Sequence, residues 1–215
     1  MNRLFAAFTL AVLALASPAG AAKFEELTHY VPIANAPPPE PGSKIEVLEF
    51  FMWTCPHCMQ FEPYLQQWLA RKPADVEFSK VPAAFNPNAQ LLARAFYALE
   101  ALGEEKRLGD AFFTALIQDR RRMADEQAVV DFVRQLGVDE AKFREAMGSF
   151  AVAAKVRRAV QLADRYRVDG VPKLVVDGRW KNGDGLSSYQ QMTEVADFLI
   201  EEARRLRQAP STPAQ

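Results

Sequence analysis

The chain has 215 residues, 49% of them apolar and 25% charged, and its 26 basic residues stand against 27 acidic ones. That near-neutral balance gives no electrostatic footprint for nucleic acid, and the length suffices for an ordinary core without disulfide staples. Two cysteines and two histidines in the whole sequence leave little with which to build a metal centre.

Residues 1–21 read as an export signal: Arg3 supplies a positive start, Leu4 to Ala16 an apolar stretch, and Ala19-Gly20-Ala21 a small-residue cleavage site before Ala22. The apolar stretch is well short of the ~20 residues that cross a bilayer, and no later segment is long and uncharged enough. A soluble exported protein is expected, and with no cysteine beside the cleavage site a lipid anchor is not. From Lys23 to Ile33, charged and β-prone residues (Leu27, Tyr30, Val31, Ile33) predict an opening strand or extended arm. Ala36-Pro37-Pro38-Pro39-Glu40-Pro41-Gly42 can form neither helix nor central strand and reads as a stiff connector.

Lys44 to Trp53 predicts the first central strand. A helix follows from about Cys55 to Lys72, with Phe61, Leu65, Trp68 and Leu69 on one apolar stripe and Pro63 inside it. Lys72 to Asp75 is a turn and Val76 to Val81 a second strand, so this stretch makes a βαβ unit. From Asn88 to about Arg167 the apolar period is helical throughout. Leu92, Ala95, Phe96 and Leu99 form one stripe; Leu108, Ala111, Phe112, Ala115 and Leu116 a second; Val129, Phe132, Val133 and Leu136 a third. Gly103, Gly137 and Gly148 are expected to separate these helices, and Ser149 to Arg167 adds another. Arg120-Arg121-Arg122 is placed near the end of an insertion helix, as a solvated helix end. After Gly170 the pattern returns to sheet: Lys173 to Val176, a turn at Asp177-Gly178, then Arg179-Trp180 form a hairpin, and Ser188 to Arg207 a final helix.

Chemistry concentrates where the first strand meets its helix, in Cys55-Pro56-His57-Cys58, which holds both cysteines. A disulfide closing so small a loop would contribute roughly 2 kcal/mol by chain entropy, a weak use of the pair as a staple. A Cys-x-x-Cys pair also occurs in zinc sites, but only His29 and His57 could complete one. Redox chemistry is the better reading. A thiol near pKa 8.5 is mostly protonated at neutral pH, whereas the unpaired N–H groups and positive dipole end of a helix favour a thiolate at Cys55. His57 can add a hydrogen bond or positive charge, Pro56 costs nothing at the first helical position, and Cys58, one turn in, should be the buried partner. Stabilising the thiolate stabilises the reduced form, which makes the disulfide an oxidant.

Two further positions draw the eye. Glu49, a carboxylate inside Val47-Leu48-Glu49-Phe50-Phe51, either lies beneath the site with a raised pKa, able to relay the proton of Cys58, or faces solvent at an edge. Lys80 in the neighbouring strand is its candidate partner. In Gly170-Val171-Pro172 the residues alone do not decide between a trans and a cis bond, and base rates favour trans.

With these residues in view, the chain resembles the bacterial periplasmic thiol:disulfide interchange proteins of the DsbA type, an α/β thioredoxin fold with an inserted all-helical domain. The resemblance rests on the acidic strand leading into Cys-Pro-His-Cys, the helical insertion, and Gly-Val-Pro before a β-hairpin. It implies that Cys55 is the exposed nucleophile, Cys58 the resolving thiol and His57 the stabiliser of the thiolate. Pro172 matches the family's cis-proline facing the disulfide, and Val171 the residue whose backbone pairs with an extended substrate segment. Glu49 and Lys80 resemble the buried acid and lysine of the proton path. Departures are Thr54, where thioredoxins carry Trp, and Pro63, which looks more like the thioredoxin helix.

The expected division is a signal peptide over 1–21, a thioredoxin-like domain over 22–87 and 168–208, an inserted helical domain over 88–167 and a flexible tail over 209–215. The expected function is a monomeric periplasmic oxidase that donates the Cys55–Cys58 disulfide to exported proteins with free thiols. By resemblance it is reoxidised by a membrane partner of the DsbB type, with no nucleic acid, metal or organic cofactor. A reductase or isomerase kept reduced, and a peptide-binding chaperone with incidental cysteines, are the alternatives.

Overall fold

The computed structural model describes residues 23–36 and 44–208. The expected signal peptide, most of the proline-rich connector and the expected tail lie outside them. Among the described residues one five-stranded sheet is built from β1 (Tyr30–Pro32), β2 (Ile45–Phe51), β3 (Val76–Pro82), β4 (Lys173–Val176) and β5 (Trp180–Asn182), in the order β1-β5-β4-β2-β3. The β2–β3 pair is parallel and is bridged by α1 (Pro56–Arg71), whereas β4 runs antiparallel to β2 and β1 antiparallel to β5. The opening arm is therefore an edge strand.

Alternation along β2 assigns its side chains to two cores. Ile45 and Val47 pack with Phe61, Leu65 and Trp68 of α1 and with Val195, Leu199 and Ile200 of α7 (Tyr189–Gln208). Leu48 and Phe50 point to the other face, toward the helical insert. β2 is buried at every position but Glu46, as a central strand covered on both faces requires.

The insert comprises α2 (Pro87–Ala101), α3 (Glu105–Phe113), α4 (Glu126–Gln135), α5 (Glu140–Gly148) and α6 (Phe150–Arg165), between β3 and β4. Local chemistry sets its breaks. Asn86, Asp125, Asp139 and Ser149 each cap a helix by accepting from the backbone N–H three residues on, and Gly103 and Gly137 adopt φ of +73° and +84° past helix ends. Gly148 simply ends α5. After α3 the chain widens into a π turn over Thr114–Gln118, closed by Asp119 N–H to Thr114 O at 3.0 Å. The basic run therefore falls past the helix rather than within its last turn: Arg120 has φ +50°, and Arg121 reaches Gln135 Oε1 and lies 4.8 Å over the Phe132 ring.

Aromatic stacking joins the insert to the end of β2. Trp53 stacks on Phe112 at 4.0 Å and 14°, and Phe51 meets Phe96 at 5.2 Å. On the opposite side, Asp177 and Gly178 both take positive φ in the β4–β5 turn, which Arg179 N–H closes onto Val176 O at 3.0 Å. The β5–α7 loop is laced to the arm by Gly183 N–H to His29 O at 2.8 Å and Gly185 N–H to Thr28 O at 3.0 Å. A Cβ at Gly183 would stand 2.3 Å from Thr28 O, so this approach requires glycine.

Candidate active site

β2 delivers the chain to its helix through Met52-Trp53-Thr54, and Cys55 becomes the N-cap of α1 with extended φ −96° and ψ 114°. Its N–H bonds Met52 O at 3.0 Å, and Pro56 opens the helix. The first free N–H groups of α1 thus lie at the Cys55 end of the helix, though the Cys55 side chain closes no cap hydrogen bond. Both cysteines are thiols here, Cys55 9% exposed and Cys58 0%, so Cys55 is reachable along one edge rather than openly exposed.

The two sulfurs are unlike electrostatically. The Cys55 pKa is lowered to about 6, first by the hydrogen bond from the Cys58 thiol, against burial, and then by the N–H groups of Cys58 and His57 and the His57 charge. The Cys58 pKa is pushed up by that same hydrogen bond and by burial. Across from the helix, the Val171–Pro172 bond is cis, and the Cys55 thiol donates to Val171 O at 3.3 Å. Base rates for X-Pro pointed to trans; the resemblance pointed to cis, as found. Because β4 pairs Phe50 with Lys173, the residue after Pro172, the sheet register itself brings this loop to the end of β2.

Below the thiols lies a buried charge cluster. Glu49 and Lys80 are register partners on β2 and β3, on the face that α1 covers, with Lys80 Nζ 3.6 Å from Glu49 Oε2 and 2.6 Å from Glu62 Oε2 of α1. Glu49 is fully buried with neither carboxyl oxygen hydrogen-bonded, and burial pushes its pKa up to about 8 against the pull of Lys80. Burial works to lower the Lys80 pKa, but Glu49, once it has ionised, and Glu62 outweigh it and raise it. The arrangement is thus a Lys80–Glu62 ion pair beside a Glu49 that keeps its proton at neutral pH.

Glu62 was not among the residues singled out from the sequence. Its signal was available: it stands four after Cys58 and three before Leu65, on the stripe that faces the sheet. Tyr189, Gln60 and Lys173 were missed too. Tyr189 OH is 2.9 Å from His57 Nδ1, and Lys173, buried beside Pro172, bonds Asp184 Oδ1 at 2.9 Å. Next to the thiols runs a groove of about 580 Å³, lined by Val171, Pro172, Lys173, Leu186, Tyr189 and Met192. Among the described residues no group of three or more His, Cys, Asp or Glu side chains could hold a metal ion, and His29 instead accepts from Glu25 N–H in the arm at 2.9 Å.

A profile of the DSBA-like thioredoxin domain matches residues 46–196. The chain belongs to this DsbA-like family. The thiol:disulfide interchange protein DsbA of Bordetella parapertussis is 39% identical over 206 residues, covering 95% of this chain and 97% of that one. Its counterpart in Pseudomonas aeruginosa is 36% identical over 199 residues, covering 90% and 94%. The crystal structure of Pseudomonas aeruginosa DsbA superposes with a TM-score of 0.79 at 34% identity, over 85% of this chain and 95% of that one. As a DsbA-family member the chain is a protein thiol:disulfide oxidoreductase, with Cys55-Pro56-His57-Cys58 as its Cys-x-x-Cys centre.

Proposed function

We propose that the protein is a periplasmic oxidase that donates its Cys55–Cys58 disulfide to newly exported proteins. The observation that carries the direction is the asymmetry of the thiols: a Cys55 thiolate favoured at the start of α1 stabilises the reduced enzyme, and so makes its disulfide a strong acceptor of electrons.

A client thiolate attacks Cys55 Sγ, the Cys55–Cys58 bond breaks, and the electron pair leaves on Cys58. Buried Cys58 cannot remain charged; Glu49, whose pKa burial pushes up to about 8, is the acid assigned to give it a proton, and the Lys80 ammonium offsets the carboxylate left behind. A second client thiolate then attacks the client sulfur of the mixed disulfide, and Cys55 leaves as the thiolate that α1 and His57 stabilise. Two client thiols are oxidised, both enzyme cysteines reduced, and the second proton goes to solvent. Val171 and the groove beside Pro172 would hold an extended client segment through backbone bonds, which suits many sequences. Reoxidation by a DsbB-type membrane protein completes the cycle, and the signal-like residues 1–21 support export; among the described residues no helix is long and apolar enough to cross a membrane.

The test is a trap. Cys58→Ala, presented with a mixed disulfide of glutathione and a client peptide, should accumulate peptide covalently bound at Cys55, and Cys55→Ser should accumulate none. Equilibration of the intact protein with glutathione should give a potential well above thioredoxin's. A thioredoxin-like potential would make the protein a reductant and end the oxidase reading.

A further inference from the structure

His57 is exposed at the second residue of α1, where an unrestrained imidazole would be free to turn into solvent, away from the thiols. It is instead tethered from the far end of the chain. Its Nδ1 lies 2.9 Å from the hydroxyl of Tyr189, the first residue of α7, and that hydroxyl lies 3.1 Å from Gln60 Oε1. A phenol has one hydrogen to give, and Gln60 Oε1 can only accept. The hydrogen therefore goes to Gln60, and the bond to His57 must use a hydrogen carried on Nδ1. One side chain thus sets both the tautomer of His57 and its direction.

The tether is itself anchored. The Tyr189 ring packs 5.9 Å from the Phe61 ring and 5.9 Å from the Tyr64 ring of α1. The start of α7 is fixed by Gln191 N–H to Ser188 Oγ at 3.1 Å and by Ser187 Oγ to Gln191 Oε1 at 2.9 Å. The ionisable groups gathered on Cys55 are Cys58 and His57 from α1 and Tyr189 from α7.

We propose that Tyr189 is a positioning residue of the redox centre: with Nδ1–H directed at its own hydroxyl, it holds the His57 imidazole over the first turn of α1, so that any charge His57 carries stays beside Cys55. The inference rests on the reading of Cys55 as the thiolate that the site stabilises. Tyr189 acts on Cys55 through His57, which makes its effect separable from a general loss of structure.

The experiment is a double-mutant cycle on the signal-free, reduced protein. Tyr189→Phe keeps the ring contacts and removes only the hydroxyl, and it is made in the parent and in His57→Ala. Cys55 ionisation is followed by thiolate absorbance, the redox equilibrium is measured against glutathione, and ¹⁵N resonances report the His57 tautomer. In the parent, Tyr189→Phe should raise the Cys55 midpoint by roughly half to one pH unit, the scale of one lost hydrogen bond. It should weaken the oxidising equilibrium at pH 7 roughly two- to sixfold. The resonance pattern of hydrogen on Nδ1 should be lost, and in the His57→Ala background the same change should do nothing more. An unchanged midpoint in a folded Tyr189→Phe protein overturns the proposal, and so does an equal rise without His57. A parent potential near thioredoxin's would sink the oxidase reading alone, because the tether is read as a difference between variants.

Discussion

Replacing Glu49 with glutamine should change how stability depends on pH, more tellingly than how large it is. In the folded protein the Glu49 carboxyl keeps its proton until about pH 8, while in the unfolded chain it loses it near 4.5. Between those values the folded state binds more protons than the unfolded one, so the contribution is fully present below 4.5 and is lost as pH rises through about 8. Each pH unit in that window removes about 1.4 kcal/mol, which comes to about 3 kcal/mol by pH 7 and about 5 kcal/mol above pH 8. Glutamine has nearly the same volume and cannot ionise. Its buried amide hydrogens carry a penalty of about 1–3 kcal/mol, but that penalty is constant across pH. The assay is urea unfolding of both proteins, held oxidised, from pH 4 to 9. The stability of Glu49→Gln relative to the parent should climb steadily from pH 4.5 to 8 and then flatten. Parallel curves would refute the buried-acid argument, and a relative stability that falls with pH would mean that Glu49 is ionised and paired with Lys80.

Four other outcomes follow from the same geometry. The Cys55 thiolate should appear with a midpoint near 6, and His57→Ala should raise it; the stability this ionisation lends the reduced protein is present above the unfolded thiol's value near 9 and disappears as pH falls through about 6, as a thermal melt series would record. Phe112→Ala removes the ring stacked on Trp53 and should cost about 3–5 kcal/mol in urea unfolding. Gly183→Ala drives a Cβ into Thr28 O and should cost roughly 1–3 kcal/mol, with the arm's amides losing protection from hydrogen exchange first. Asp125→Ala deletes the cap of α4 and should cost about 1 kcal/mol by the same urea assay.

Much of the architecture was legible because its causes are local. A buried strand running into Cys55-Pro56-His57-Cys58, the left-handed Asp177-Gly178 turn and the helical period of the insert are written in adjacent residues. The π turn after α3 was not, since i→i+5 and i→i+4 ladders share nearly the same apolar stripe. The isomer of the Val171–Pro172 bond was not fixed by its neighbours either, because the two forms differ by only about 0.5–1 kcal/mol in the chain alone and the fold decides between them. Glu49 and Lys80 could be anticipated as neighbours from strand order. Glu62 could have been, had the charge on the sheet-facing stripe of α1 been weighed as an inward position. The Tyr189 contact lay beyond such reasoning: it depends on where α7 begins relative to α1, a tertiary relation between residues 132 apart.

The lacing of the opening arm onto the β5–α7 loop bears on how the molecule is completed. Thr28 and His29 are synthesised early, yet their partners Gly183 and Gly185 come late in the sequence. Edge strand β1 must therefore wait, unpaired, until almost everything else has emerged. The loop that walls the groove beside Pro172, tied also by Lys173 to Asp184, gains its backbone bonds to the arm only in that last closure. The groove beside Pro172 thus takes its final form only when the arm and the β5–α7 loop have met.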